Sequence, residues 1–222
     1  MRLGAAFVAA VLIFTVSTNS VTSSPTHYEE PPRKAVVTRY QDPDSEAWLW
    51  DRLMEYTGGD AKITAGILGY YWRESFLKSN ATAHWATVNP YLGRDMPVEF
   101  TARIDAGLAD GSTRDDFIES VRERIGGYGL GQWYSRHYLE DLYGFAQAWG
   151  TSIGDADMQC AFTVQSMQAE VDLWSYLEAA EDAYSAGLVI AYRYDGISGD
   201  YAEGLAWYAK EYYERNEEGA DD

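Results

Sequence analysis

The chain has 222 residues, of which 46% are hydrophobic and 23% are charged, and this is enough apolar material for one folded domain of ordinary size. Its formal net charge of −18 argues strongly against nucleic acid as a partner, because phosphate backbones repel an acidic protein. The single cysteine excludes an intramolecular disulfide, so the stability of the domain must come from its core.

The N-terminal part of the chain has the layout of an export signal. Arg2 precedes an apolar run, Leu3–Val16, which is followed by small polar residues and is shorter than the roughly 20 residues that span a bilayer. We therefore expect residues 1–23 to be a signal peptide or an N-terminal anchor. Residues 24–43 are rich in Ser, Thr, Pro and charge, which is typical of a flexible leader. The protein is accordingly expected to be secreted or associated with the cell envelope.

From Asp44 onward the sequence is a succession of helix-sized apolar patterns. Asp60 and Asp155 stand where helices would begin and are typical N-caps. Ser112 or Thr113, each followed by an acid three residues later, forms a capping box. The segments whose apolar spacing predicts a helix are residues 44–59, 60–76, 98–109, 115–125, 135–150, 155–180 and 200–215.

The whole pattern predicts one mainly α-helical domain. Strand-type alternation of useful length is absent, apart from a small β-hairpin expected around residues 126–133. The folded domain is predicted to cover residues 44–215, and residues 216–222 to form an acidic tail.

Glu74 is the first candidate for chemistry. It stands four residues after Tyr70 and three after Tyr71, hence on the apolar face of its own helix and near the C-terminal end of that helix. Loss of solvent favours the protonated form of a carboxyl group, and a general acid in glycoside cleavage needs that form. The alternative is a rim glutamate that pairs with Arg73 or reaches solvent, and the spacing alone favours this alternative.

The stretch GGYGLGQW, residues 126–133, is the second candidate. Its glycines would let a ligand or another segment approach the backbone closely. Gln132 adds a side-chain amide, while Tyr128 and Trp133 offer apolar faces to sugar rings. Taken alone, the stretch is more typical of a tight connection, because it lacks the pattern of a phosphate-binding loop.

The segments GILGYYWRESF, GGYGLGQW, VIAYRYDG and GDYAEGLAWYAKEYY, in this order, resemble the phage tail lysozyme-like domains and, more distantly, goose-type lysozymes and soluble lytic transglycosylases. The resemblance covers about residues 47–213. Its most specific parts are the pair Glu74-Ser75 at a helix end and the Gly-Leu-x-Gln pattern over Gly129–Gln132. It implies a lysozyme fold that acts on peptidoglycan, with Glu74 as the catalytic acid and Tyr128–Trp133 as a wall of the cleft.

The chain departs from the pattern of these enzymes near its C-terminal end. The related enzymes carry an Ala-Tyr-Asn motif, whose tyrosine helps to position the catalytic glutamate. Here Ala191 and Tyr192 match, but Arg193 replaces the asparagine. This makes Tyr192 the better match to the motif and Tyr194 a substitute for it.

The sequence leaves the identity of a second catalytic carboxylate open. A hydrolase needs one roughly 6.5–9.5 Å from the acid for inversion, or about 5 Å for retention. Asp95, Glu99 and Asp105 lie in the irregular middle stretch, and the sequence does not choose among them. Transglycosylases of this fold use one glutamate and the substrate's own hydroxyl instead.

Neither a metal nor a cofactor is expected. The three histidines belong to no metal-binding pattern. Cys160 lies among apolar residues in the middle of a predicted helix, which favours an inert buried thiol over a nucleophile.

We therefore predict an exported, monomeric muramidase or lytic transglycosylase that cuts the β-1,4 bond between N-acetylmuramic acid and N-acetylglucosamine, with Glu74 as general acid. Its partner would be the peptidoglycan strand, and it would open the wall locally for secretion, conjugation or phage-related passage. The alternative is a non-catalytic, glycan-binding module that scaffolds a wall-spanning assembly. The residues expected to bind substrate or orient the acid are Ser75, Tyr128, Gly129, Gln132, Trp133, Tyr192 and Tyr194.

Overall fold

The computed structural model describes residues 46–82 and 96–217, and these ranges contain nine α-helices and two π-helical segments. The α-helices are α1 Glu46–Tyr56, α2 Ala61–Ser75, α3 Met96–Asp105, α4 Arg114–Ser120, α5 Arg136–Trp149, α6 Ala156–Ala169, α7 Leu173–Glu178, α8 Ala183–Val189 and α9 Asp200–Glu217. The π-helical segments are π1 Val121–Ile125, directly after α4, and π2 Ile190–Asp195, directly after α8. The prediction of a mainly α-helical domain is confirmed.

The predicted signal and leader lie outside the described residues, as does Asp95. Within the described ranges, no helix combines the length and the apolar character needed to cross a bilayer. The last helix continues to Glu217, so the predicted acidic tail begins inside a helix.

Local capping explains where several helices begin. Asp60 accepts hydrogen bonds from the backbone N–H groups of Lys62 and Ile63, both at 3.0 Å. Asp155 accepts one from the N–H of Met158 at 2.9 Å. Both aspartates satisfy donors that the first helical turn leaves free, as the sequence predicted.

Two local predictions are wrong, and a third is confirmed only in its smallest form. The side chain of Thr113 does not cap α4; its hydroxyl donates to the carbonyl oxygen of Ile104 at 2.6 Å. The segment 155–180 forms two helices, because Glu170 is extended and ends α6 at Ala169, and Asp172, with a left-handed φ of 63°, directly precedes α7. The hairpin expected around residues 126–133 is a tight turn with one antiparallel bridge, between Tyr128 and Trp133.

Helix α2 lies at the centre of the domain, where it packs against α1, α8, π2 and α9. Its buried face includes Ile67, Leu68 and Tyr71. Cys160 on α6 is also buried, and burial raises the pKa of its thiol well above its ordinary value. This environment fits the inert thiol that the sequence indicated.

Candidate active site

The end of α2 sets the position of Glu74. Phe76 and Leu77, directly after the helix, both adopt left-handed backbone conformations with φ of 53° and 63°. Their N–H groups close the helix by donating to the carbonyl oxygens of Trp72 and Tyr71. The chain thereby reverses within one turn of Glu74, and non-glycine residues hold this conformation at a cost of about 1–3 kcal/mol each.

Burial and charge favour the protonated form of Glu74. Its side chain is partly buried, and desolvation, followed by the negative charge of Asp195, raises its pKa from 4.5 to about 7. Arg73 opposes this shift only in part. A carboxyl group with such a pKa carries a proton at neutral pH and donates it readily, as a general acid must.

Asp195, the last residue of π2, is the acidic partner that the sequence analysis missed. Desolvation raises its pKa from 3.8 to about 6, against the lowering effect of Arg73. The sequence contained one signal for this residue, because Asp195 lies in the segment VIAYRYDG directly after Tyr194, which was already a candidate. A π-helical segment is a further sign, because such segments are frequent at functional sites.

Two of the predicted second carboxylates lie elsewhere in the described structure. Glu99 is exposed on α3. Asp105 accepts hydrogen bonds from the hydroxyl of Ser152 at 2.6 Å and from the N–H of Ile153 at 2.8 Å. The carboxylate of Asp105 therefore fixes the loop before α6, and this structural role explains its presence.

The glycine-rich stretch is attached to the helix of Glu74 and to the chain that follows it. The hydroxyl of Tyr70 on α2 donates to the carbonyl oxygen of Gly131 at 2.6 Å. The N–H of Gly129 and the side-chain amide of Gln132 both donate to the carbonyl oxygen of Ala81, at 2.9 and 3.0 Å. On this side the glycine-rich stretch therefore binds protein backbone and fixes the position of the segment that follows α2.

Gly129 has no room for a side chain. Its φ is 81°, and an added Cβ would lie 2.7 Å from the amide oxygen of Gln159. That amide is fully buried; it accepts from the N–H of Leu130 and donates to the carbonyl oxygens of Ser79 and Ile153. Gln159 thus joins the glycine stretch to two neighbouring loops.

The prediction that Tyr128 and Trp133 present faces to sugar rings is wrong. Their side chains are 0% and 3% exposed. Tyr128 packs edge-on against Phe117, and Trp133 packs edge-on against Phe162. Both rings belong to the core, because the turn that carries them folds inward.

Of the two candidate tyrosines, Tyr194 lies at the site and Tyr192 does not. Tyr192 is 51% exposed. Tyr194 packs edge-on against Tyr70 with ring centroids 5.7 Å apart, and its hydroxyl accepts from the indole N–H of Trp133 at 3.3 Å and lies 2.7 Å from that of Ser166. The irregular π-helical turn puts Tyr194 inside, which helical spacing in the sequence did not indicate.

Ser75 is bound within its own helix. Its hydroxyl is buried and donates to the carbonyl oxygen of Tyr71 at 2.9 Å within the same helix. Arg193, the residue in the place of the asparagine, lies over the exposed ring of Tyr176 at 3.6 Å. Neither side chain is placed to orient Glu74.

Tyr194→Phe is expected to destabilise the protein by about 1–2 kcal/mol, because the buried N–H of Trp133 would lose its acceptor. Tyr192→Phe, the matched control on the exposed side of π2, should change the free energy of unfolding by less than about 0.5 kcal/mol. Urea denaturation followed by fluorescence measures both. Equal effects of the two substitutions would contradict the assignment of Tyr194 as the hydrogen-bonded member of the pair.

Gly131→Ala is expected to destabilise the protein by about 1–3 kcal/mol. An added Cβ would lie 2.6 Å from the indole of Trp133 and 2.7 Å from the hydroxyl of Tyr70, so one of these rings must move. Gly144→Ala on α5 is the control, because its Cβ would meet nothing within 4 Å among the residues that the structure describes and alanine favours the helix by about 0.5–1 kcal/mol. Chemical denaturation should therefore give opposite signs, and a stabilised Gly131→Ala protein would refute the close approach.

Among the described residues, no three His, Cys, Asp or Glu side chains form a group that could hold a metal ion. The site consists instead of two partly buried carboxyl groups, one on α2 and one on π2, beside a rigid turn. The sequence model of the family described as phage tail lysozyme matches residues 44–216. No match was found among curated proteins or among solved structures.

Proposed function

Because the chain belongs to the phage tail lysozyme family, we propose that it cleaves the β-1,4 bond between N-acetylmuramic acid and N-acetylglucosamine in peptidoglycan, with Glu74 as the general acid. Membership of the family implies a peptidoglycan-hydrolysing, lysozyme-like activity. The observation that carries the choice of acid is the partly buried carboxyl group of Glu74, whose pKa burial and Asp195 raise to about 7.

In this proposal Glu74 transfers its proton to the glycosidic oxygen as the bond to the anomeric carbon breaks. The leaving sugar then departs as a neutral hydroxyl, which removes the main barrier to cleavage at neutral pH. A solvent-exposed glutamate, ionised above its ordinary pKa of 4.5, would hold too few protons at pH 7 for this step. The environment of Glu74 supports the proposal because the raised pKa keeps a larger fraction of the carboxyl group protonated at pH 7.

A non-catalytic glycan-binding module is the other candidate. A binding module gains nothing from two partly buried carboxyl groups with raised pKa values, since their ionisation costs folding free energy. The pair Glu74 and Asp195 therefore favours the enzyme over the module.

We also propose that the protein acts outside the cytoplasmic membrane, where peptidoglycan lies. The apolar run Leu3–Val16 behind Arg2 supports export. Fractionation of cells that express the full chain, with and without residues 1–23, tests this proposal. Equal export of the two forms would contradict it.

The test of the activity is mass spectrometry of the products released from purified peptidoglycan. Cleavage at the muramic acid bond should yield soluble muropeptides, whose reducing or 1,6-anhydro ends distinguish hydrolysis from transglycosylation. Sedimentation with insoluble peptidoglycan is measured in parallel. A protein that pellets with intact glycan and releases nothing over the pH range 5–8 would be a binding module, and the proposal would fail.

A further inference from the structure

Helices α2 and α8–π2 run side by side in the same direction, and their register brings Asp195 to Glu74. An added Cβ at Gly66 would lie 3.0 Å from the side chain of Ile190. One turn later, Tyr70 contacts Tyr194 through their rings. One further turn of α2 reaches Glu74, and the residue that follows Tyr194 is Asp195, the C-terminal end of π2.

One oxygen of the Asp195 carboxylate has no hydrogen-bond partner in the described part of the chain. This atom, Oδ2, is buried there and accepts no hydrogen bond from any described residue, although buried carboxylate oxygens are normally satisfied. Arg73, the cation whose charge acts on both carboxyl groups, lies 4.4 Å over the ring of Tyr201. An unsatisfied buried oxygen beside a candidate acid needs an explanation, and Asp105 shows how a purely structural aspartate in this protein is satisfied.

Resting on the proposed function, we propose that Asp195 is the second carboxylate of the glycosidase site and that the reaction is hydrolysis. The bond between the anomeric carbon and the leaving oxygen breaks with its electron pair on that oxygen, which takes the proton of Glu74. Asp195 supplies the negative charge opposite the positive charge that develops on the sugar. The oxygen of water bonds to the anomeric carbon, and the proton that water releases returns to the carboxyl pair.

The assignment separates this protein from a transglycosylase, which needs one acid and the substrate's own hydroxyl. It also gives the two carboxyl groups different tasks in one environment, the arrangement by which glycosidases divide the roles of acid and stabiliser. The rings of Tyr70 and Tyr194 contact each other between α2 and π2, and their hydroxyls form hydrogen bonds with Gly131 and Ser166. These contacts fix the register of the two segments that carry the carboxyl groups.

The experiment compares the wild type, Asp195→Asn and the control Asp200→Asn, which removes the same charge from an exposed position on α9. Each protein is first shown to have an intact fold by circular dichroism. We expect reducing-end products from the wild type, at least about a 100-fold lower rate for Asp195→Asn at its own pH optimum, and a rate within about twofold of wild type for Asp200→Asn. Asp195→Asn should pellet with peptidoglycan as well as the wild type does.

A second readout excludes a merely structural role for Asp195. Removal of its charge should move the alkaline limb of the pH–rate profile to lower pH, because that charge disfavours ionisation of Glu74. Asp195→Ser repeats the test should the asparagine variant fail to fold. Less than a tenfold loss in the folded variants, or only 1,6-anhydro ends from the wild type, would overturn this assignment and leave the proposed function standing. A wild type that cleaves nothing would instead overturn the proposed function itself.

Discussion

Glu74→Gln is expected to lower the rate of peptidoglycan cleavage by about 100- to 10,000-fold, the contribution typical of a positioned general acid. Glutamine keeps the shape of the side chain but carries no acidic proton, so the leaving oxygen would depart with its negative charge. Binding of the glycan should persist, because the amide retains the contacts of the carboxyl group. Release of muropeptides from purified peptidoglycan measures the rate, and sedimentation with the wall measures the binding.

Glu99→Gln is the matched control for this substitution. Glu99 is exposed on α3, so the same chemical change there should leave the rate within about twofold of wild type. A large loss in Glu99→Gln would restore it as a candidate carboxylate. Retention of most activity in Glu74→Gln would remove Glu74 from the reaction.

Glu74→Gln should also stabilise the fold at high pH. The pKa of Glu74 is about 7 in the folded protein against an ordinary 4.5, so the folded state binds more protons and the free energy of unfolding falls as the pH rises from about 4.5 to 7. Glu74→Gln removes this loss. We expect a gain of about 1–3 kcal/mol at pH 8 and almost none at pH 4, which thermal melts at the two pH values would show.

The sequence predicted the helices and the position of Glu74 because both depend on local patterns. Asp60 caps α2, and residues 63–71 are buried on every side of this helix. The spacing placed Glu74 on the same face as Tyr70 and Tyr71 but favoured a rim position for it, and its role as the acid came from the resemblance to the lysozyme-like domains. The candidate acid Glu74 could therefore be predicted from the sequence, whereas its partner Asp195 could not.

The position of Asp195 could not be predicted because it depends on an irregular helix and on a long-range contact. Ordinary helical spacing does not show that π2 turns Tyr194 inward and leaves Tyr192 exposed. The register between α2 and π2, which pairs Tyr70 with Tyr194, comes from packing of segments more than a hundred residues apart. Tyr128 and Trp133 were misplaced for a related reason, since a glycine-rich turn can direct its aromatics outward or inward.

The activity should have a bell-shaped dependence on pH, with its maximum between about pH 6 and 7. Proton donation needs the protonated form of Glu74, whose pKa is about 7, so kcat/KM should fall about tenfold per pH unit above that value. Stabilisation of the sugar cation needs the ionised form of Asp195, whose pKa is about 6, so the rate should also fall below it.

The neighbouring tyrosines do not interfere with the assignment of the two limbs of the pH profile to Glu74 and Asp195. Burial raises the pKa of Tyr194 to about 12 and that of Tyr70 well above its ordinary value. Neither tyrosine therefore titrates within the working range, and the two limbs belong to the coupled carboxyl groups as a pair. Initial rates on solubilised glycan strands from pH 4 to 9 would measure the profile. A rate that stays constant from pH 6 to 9 would show that no proton of Glu74 is used, whereas loss of the acidic limb in Asp195→Asn would connect that limb to Asp195.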